Sequence, residues 1–196
     1  MFNQPNTLYQ NNLLRRLFPS DLALLEPHME RVALPMRTQL ESAKSVIGHV
    51  YFLEEGIASV VAKIPKGRDT EVGLIGLEGM TGALVALGGD RAPHDTYMQL
   101  AGSGLRTPAL SSALSESTTL KALLLLYVQT LYIQTSYTAL VNARSKLDER
   151  LARWLLMCHD RARGDRLAIT HEFMSVMLGV RRPGVTVAIQ ELEGRA

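Results

Sequence analysis

Near the C-terminus, the stretch GVRRPGVTVAIQELEG (residues 179–194) sets two adjacent arginines before a Pro-Gly pair and a run of apolar residues at helical spacing. A guanidinium offers two parallel N–H donors that match O6 and N7 of guanine, and methyl-bearing side chains one turn later can meet thymine. Groove recognition in a nucleic acid is the chemistry these residue types can do. With a helix starting near Arg182, Val185, Ala188, Ile189 and Leu192 share one face, and Arg182, Pro183, Thr186, Val187 and Gln190 share the other. Pro183 then falls in the first turn, where its missing N–H costs nothing. Upstream, Thr170 is a good N-cap for a short helix with Glu172 in its first turn and Phe173, Met174 and Met177 as apolar anchors. Gly179 supplies the residue that lets the chain reverse between the two helices. The pattern reads as a helix-turn-helix; a pair of surface helices with solvated arginines has the same spacing.

The preceding chain must position these residues. Asn12 to His28 reads as short helical pieces broken by Pro19 and Pro27, with Ser20 capping DLALLE. From Arg31 to Pro108 the texture is β-branched runs punctuated by glycine: HVYFLEEG, IASVVAKI, TEVGLIGLEG and TYMQLAGSG, with Lys66 to Asp69 as a hairpin tip. Strands at this spacing predict a compact sandwich or small barrel, a first domain over residues 1–116. Helical periodicity then takes over for residues 117–145. Leu120, Leu124, Tyr127, Leu131, Gln134, Thr138 and Val141 form one ladder, and Leu123, Leu126, Thr130, Ile133, Tyr137 and Leu140 form a second beside it. Two seams imply two partners, the β domain and the same helix of a second copy, and Leu124, Tyr127, Leu131, Gln134, Thr138 and Val141 are assigned to this dimer helix. In SKLDERLARWLLMCHDRA, Leu147, Leu151, Trp154, Leu155 and Cys158 form a buried stripe, with Asp148, Glu149, Arg150 and Arg153 outside it. Residues 146–196 form the third unit, and the fold class is α+β.

Composition narrows the function classes. The 196 residues are 46% hydrophobic and 20% charged with a net charge of +2, a balance that folds but names no partner. From Arg144 onward there are ten Lys/Arg against seven Asp/Glu, so the tail is mildly basic. The single cysteine, Cys158, excludes an internal disulfide and an iron–sulfur cluster. No signal peptide is read in MFNQPNTLYQNNLLRRLF, and ALLLLYV is far short of a membrane span, so the expected location is cytoplasmic, with no membrane partner. The five histidines show no metal-ligand spacing, no GxSxG elbow occurs, and GLIGLEGMTG lacks the GK[ST] ending of a phosphate loop. No metal, cofactor or enzyme is expected.

The stretch ERLARWLLMCHDRARGDRLAITHEFMSVMLGVRRPGVTVAIQELEG resembles the C-terminal portion of bacterial transcription regulators of the Crp/Fnr type, the cyclic-AMP receptor protein and its relatives. The resemblance implies an N-terminal cyclic-nucleotide-binding-like β-roll (a jelly roll), a long dimerisation helix, and a winged helix-turn-helix reading a palindromic operator in double-stranded DNA. A homodimer and RNA polymerase are the implied protein partners. On that match Arg182 takes the place of the base-reading arginine; Arg181 beside it is expected to cap the helix or touch backbone. Pro183 and Val187 occupy other base-facing positions, and Thr170 and His171 lie where phosphates are contacted. Two departures stand out. The ligand cassette has Gly79-Met80-Thr81-Gly82 and His94-Asp95 where cyclic-AMP-binding relatives carry an arginine for the cyclic phosphate. With Gly79, Gly82, Arg91, His94 and Asp95 as the effector pocket, a carboxylate in the arginine's place predicts that cyclic AMP is not the effector. The sequence also stops at Ala196 without the family's β-hairpin wing, so the helix-turn-helix is expected to be truncated and the chain incomplete. The other class of reading is a ligand-binding regulatory or protein-interaction module that no longer binds DNA.

Overall fold

The computed structural model describes residues 7–63, 69–108, 110–162 and 164–194, so the expected hairpin tip at Lys66 to Arg68 lies outside the described residues. The prolines divide the N-terminal region as expected, into a 3-10 turn at Leu14–Arg16, α1 (Pro19–Leu25) and a second 3-10 turn at Glu26–His28. Pro19 is itself the first residue of α1, so Ser20 lies inside the helix and does not cap it. Proline's fixed φ suits that first position and moves the start one residue upstream.

Among the described residues five strands follow: β1 (Glu30–Leu34), β2 (Gln39–Glu41), β3 (Val50–Ala62), β4 (Thr70–Ile75) and β5 (Asp95–Thr107). They pair antiparallel in the order β1-β5-β3-β4, with β2 also on β5. HVYFLEEG and IASVVAKI, which read as two strands, are one. Gly56 sits inside β3 at φ +87°, and the register against β5 shifts on either side of it. A Cβ there would lie 2.6 Å from the Leu100 carbonyl, so only glycine lets the strand bend without losing its partner. The bend curls the sheet into a roll whose interior gathers Leu34, Leu40, Leu53, Ala58, Ile75 and Met98, at least one from every strand.

One end of the roll is plugged by helices. Val50, Phe52, Met80 and Leu105 pack with Leu14, Leu22 and Leu25 and with residues of α2 (Leu110–Glu116) and α3 (Thr118–Arg144). Ser117 caps α3 by accepting from the Leu120 N–H at 3.0 Å, and its hydroxyl donates to buried Asp21 of α1 at 2.6 Å. Thr119 donates to the same carboxylate at 2.9 Å. The start of the long helix is thereby fixed to α1.

The two ladders of α3 separate cleanly. Leu120, Leu124 and Tyr127 are buried against the roll, and Leu131, Gln134, Thr138 and Val141 are half-buried along the same face. The residues assigned to the dimer helix are therefore the inward ladder, and the second ladder, apart from half-buried Leu123 at its start, is left outside. Leu126, Ile133, Tyr137 and Leu140 are 46 to 60% exposed. The reason is polar as well as apolar. Gln134 accepts from the Leu74 N–H at 2.7 Å and donates to the Leu74 carbonyl at 3.1 Å, so its amide takes the place of a neighbouring strand along the edge of β4. Tyr127 donates to the Met80 carbonyl at 2.7 Å and accepts from the Met80 N–H at 3.0 Å. Tyr127→Phe should strand both backbone groups in a dry site and cost about 1 to 3 kcal/mol, read as a lower urea midpoint; an unchanged midpoint would show that water replaces the hydroxyl.

Candidate nucleic-acid interface

The C-terminal unit consists of α4 (Leu147–His159), α5 (His171–Met177) and α6 (Arg182–Glu193). Thr170 caps α5, accepting from the Phe173 N–H at 3.2 Å. Gly179 reverses the chain at φ +65°, and a Cβ on it would lie 2.8 Å from the Thr70 hydroxyl. This turn is thus both left-handed and pressed against β4. Arg181 is the N-cap of α6, Arg182 its first residue and Pro183 lies in the first turn.

Val185 and Ala188 are buried at 0% and 2%, with Ile189 and Leu192 packed partly against the same cluster, so the apolar stripe of α6 faces its own domain. The opposite side carries Arg181, Arg182, Pro183, Val187 and Gln190, all exposed. Val187 is 53% exposed, a large uncovered area for a valine on a well-packed helix. Thr186 is different. Its hydroxyl lies 3.2 Å from Nδ1 of half-buried His171, tying the start of α5 to α6. The exposed face of α6 is thus Arg182, Pro183, Val187 and Gln190, with Thr186 and His171 bracing it from behind. Val176 of α5, also 38% exposed, was not singled out by its sequence pattern, because a lone valine on a short helix fits the core equally well.

The unit is seated on the β-roll. Ile57, Val61 and Leu74 of the sheet pack with Leu151, Trp154 and Cys158 of α4, with Met174 and Met177 of α5, and with Val185 of α6. Asp148, expected on the outer side of α4, is buried, and Arg150 and Arg153 are half-buried. A second face of α4 is covered because it is clasped on two sides. Arg150 reaches back to the Leu178 carbonyl and Arg153 to the Thr138 hydroxyl of α3. Cys158 is fully buried, receives the Gln99 amide at 3.4 Å, and has its thiol pushed up to about 12 by burial.

At the centre of this joint lies Glu71 of β4. Its Oε1 accepts from the Trp154 indole N–H at 2.7 Å, and its Oε2 lies 2.7 Å from the Ser59 hydroxyl. Ser59 also sits 2.8 Å from Oε1 of Gln99. One hydroxyl has one proton and cannot serve two acceptors. The contacts all close when Glu71 carries a proton, donating to Ser59, which donates to Gln99. Burial pushes the Glu71 carboxyl up to about 8, against the opposing bonds from Ser59 and Trp154.

A second site lies between the roll and α3. A cavity of about 290 Å³ is lined mainly by apolar side chains, with Glu41, His94, Thr96 and Thr135 among them. Of the expected pocket residues, Gly82 and His94 line it, and Gly79, Arg91 and Asp95 do not. Gly79 is pressed under the Tyr127 ring. Arg91 donates to the Lys44 carbonyl at 2.9 Å. Asp95 accepts from the Ala43 N–H at 2.8 Å and pairs with Lys63. The carboxylate that faces the cavity is Glu41 of β2, a residue no sequence pattern marked. It accepts from the Gly82 N–H at 3.0 Å and the Thr96 hydroxyl at 2.7 Å, and burial holds its carboxyl above the usual range.

Residues 149–196 match the family described as the Crp-like helix-turn-helix domain. No curated protein matches the sequence. Among solved structures, FixK2 from Bradyrhizobium japonicum is similar at a TM-score of 0.74 and 14% identity, covering 85% of either chain. A Crp/Fnr-family transcriptional regulator from Eubacterium rectale has a TM-score of 0.72 at 14% identity, over 95% of this chain and 88% of that one. A cyclic-nucleotide-binding domain from Methylobacillus flagellatus gives 0.53 at 18% identity, over 67% of this chain and 77% of that one. At such identities the likeness is one of fold: a cyclic-nucleotide-binding-like roll, a long helix and a C-terminal helix-turn-helix. Among the described residues no helix is long and apolar enough to cross a membrane.

Proposed function

From a Crp-like helix-turn-helix domain carried on the fold of Crp/Fnr regulators, we infer that this protein is a homodimeric, sequence-specific DNA-binding transcription regulator whose roll senses a small molecule other than cyclic AMP. The observation that carries the reading is α6. Its buried stripe at Val185 and Ala188 pins it, and its opposite face offers Arg182, Pro183, Val187 and Gln190 to solvent. Arg182 reads a base, Arg181 and Thr170 meet phosphates, and His171 holds Thr186. The outer ladder of α3 supplies the dimer seam, and the two α6 helices address half-sites about 34 Å apart in a palindromic operator. The proposed boundaries are a sensor over 1–116, a dimer helix over 117–145 and a reading head from 146. RNA polymerase is the further partner a transcription regulator of this kind engages. Exclusion of cyclic AMP is supported by a cavity lined by Glu41 and, among the described residues, by no arginine.

Operator affinity measured across a salt series tests this directly. Binding that weakens steeply with salt and prefers one sequence is expected. Absence of DNA binding by the dimer would overturn the reading in favour of a regulatory module that works through protein contacts. Arg182→Ala should cost about 1 to 3 kcal/mol on the preferred operator and relax selection at one position per half-site. An unchanged operator preference would remove Arg182 from its role.

A further inference from the structure

We propose that the cavity between the roll and α3 takes an uncharged, largely apolar small molecule that presents a hydrogen-bond donor to Glu41, and that it rejects phosphate-bearing nucleotides. This rests on the reading of that cavity as the sensory site.

The walls are Val60, Ile75, Met80, Leu84, Val128 and Leu131, drawn from the sheet, the turn after it and α3. Among the described residues no lysine or arginine lines the space. Of the described cations, Arg91 is committed to a backbone carbonyl and Lys63 to Asp95. An anion entering here would leave water with the His94 imidazole as the one basic side chain of the described lining, and would face the Glu41 carboxyl in surroundings that amplify like-charge repulsion. Glu41 is itself held in place by the Gly82 N–H and the Thr96 hydroxyl, one on each oxygen. Each oxygen keeps a second lone pair, so the group that completes the site is an O–H or N–H on the ligand. At about 290 Å³ the space is at the small end for ligand pockets and suits a molecule of two or three rings.

Two fluorophores with the same apolar body test the charge rule. N-phenyl-1-naphthylamine is uncharged and carries one N–H, and 8-anilino-1-naphthalenesulfonate adds a sulfonate. Titrated into the full chain, the amine should saturate at one per chain and bind at least about tenfold more tightly than the sulfonate. An excess of cyclic AMP should not displace it. Glu41→Gln should narrow the gap between the two probes, because the repelling carboxyl is gone while an acceptor remains. Thr135→Trp, or Leu84→Phe if the first disturbs α3, should fill the space and weaken the amine about tenfold or more at an unchanged melting temperature. Equal binding of both probes, displacement by cyclic AMP, or binding untouched by either filling variant would overturn the proposal. The titration contains no DNA, so a failure of operator binding leaves it standing and its own failure leaves the DNA-binding reading standing.

Discussion

Ile133→Glu together with Tyr137→Glu should give a folded monomer that binds a two-half-site operator about 10²- to 10⁴-fold more weakly, because only one reading head engages at a time. Both residues lie on the outer ladder of α3, 46% and 58% exposed, and neither plugs the roll. The helix spans 27 residues. Along it Leu126, Ile133, Tyr137 and Leu140 repeat at steps of seven, four and three, the spacing of a left-handed two-helix seam. An apolar stripe of this length is unusual on a chain that works alone. Two copies related by a two-fold axis would set four glutamates against one another, and like charges in a desolvating seam prevent association. Sedimentation velocity should show the mass halved, circular dichroism should show the helices retained, and anisotropy should show the affinity lost. A double variant that still sediments as the dimer would remove α3 as the seam. The same substitutions on the inward ladder, at Leu124 or Tyr127, should instead unfold the roll.

Glu71 sets the second large effect. Its carboxyl stands at about 8 in the folded chain against 4.5 for the free group, a rise caused first by burial. Between those values the folded state holds a proton that the unfolded state has released, so stability falls as pH rises. The contribution is fully present below about pH 4.5 and is lost by the time pH passes about 8. The slope is about 1.4 kcal/mol per pH unit, several kcal/mol across the window. The surroundings agree with a neutral acid. Trp154 donates to one oxygen and Ser59 and Gln99 continue the chain from the other. Arg153 and Arg161 pull the other way from a distance, and Arg161 is engaged by Glu78 at 2.6 Å. Urea midpoints at a series of pH values should therefore decline toward pH 8 in the wild-type chain. Glu71→Gln should flatten that decline, since its amide can donate to Ser59 and its oxygen can accept from Trp154 as the protonated acid does. A Glu71→Gln variant with the same pH dependence would place the titration elsewhere. Ionised Glu71 should weaken the contact between β4 and α4, so the C-terminal helical unit should loosen from the roll on the alkaline side.

How far the sequence reaches is clear at the two ends of the molecule. The spacing of Val185, Ala188, Ile189 and Leu192, the cap at Thr170 and the turn at Gly179 are local facts, and the structure places each of them as the pattern predicts. Helical periodicity likewise reveals both ladders of α3. It cannot tell which one faces inward, because both are largely apolar and the inward one is the more polar of the two. That choice is made by Gln134 and Tyr127, whose polar atoms find partners only at the edge of β4 and at Met80.

Other features exist only through contacts between residues far apart in the chain. Gly56 looks like the end of one strand and the start of the next, and only pairing with β5 makes it a bend within one strand. Asp21 is buried only because Ser117 and Thr119, nearly a hundred residues later, close over it. Glu41 and Glu71 lie in ordinary strand sequences, and nothing local separates them from solvated carboxylates. Folding carries one to the wall of a cavity and the other into the joint beneath the reading head. The sequence by itself determined which helix could meet DNA, since periodicity and capping are short-range. The tertiary structure alone decided which acids are stripped of water and which face of α3 remains open, since burial belongs to the packed whole.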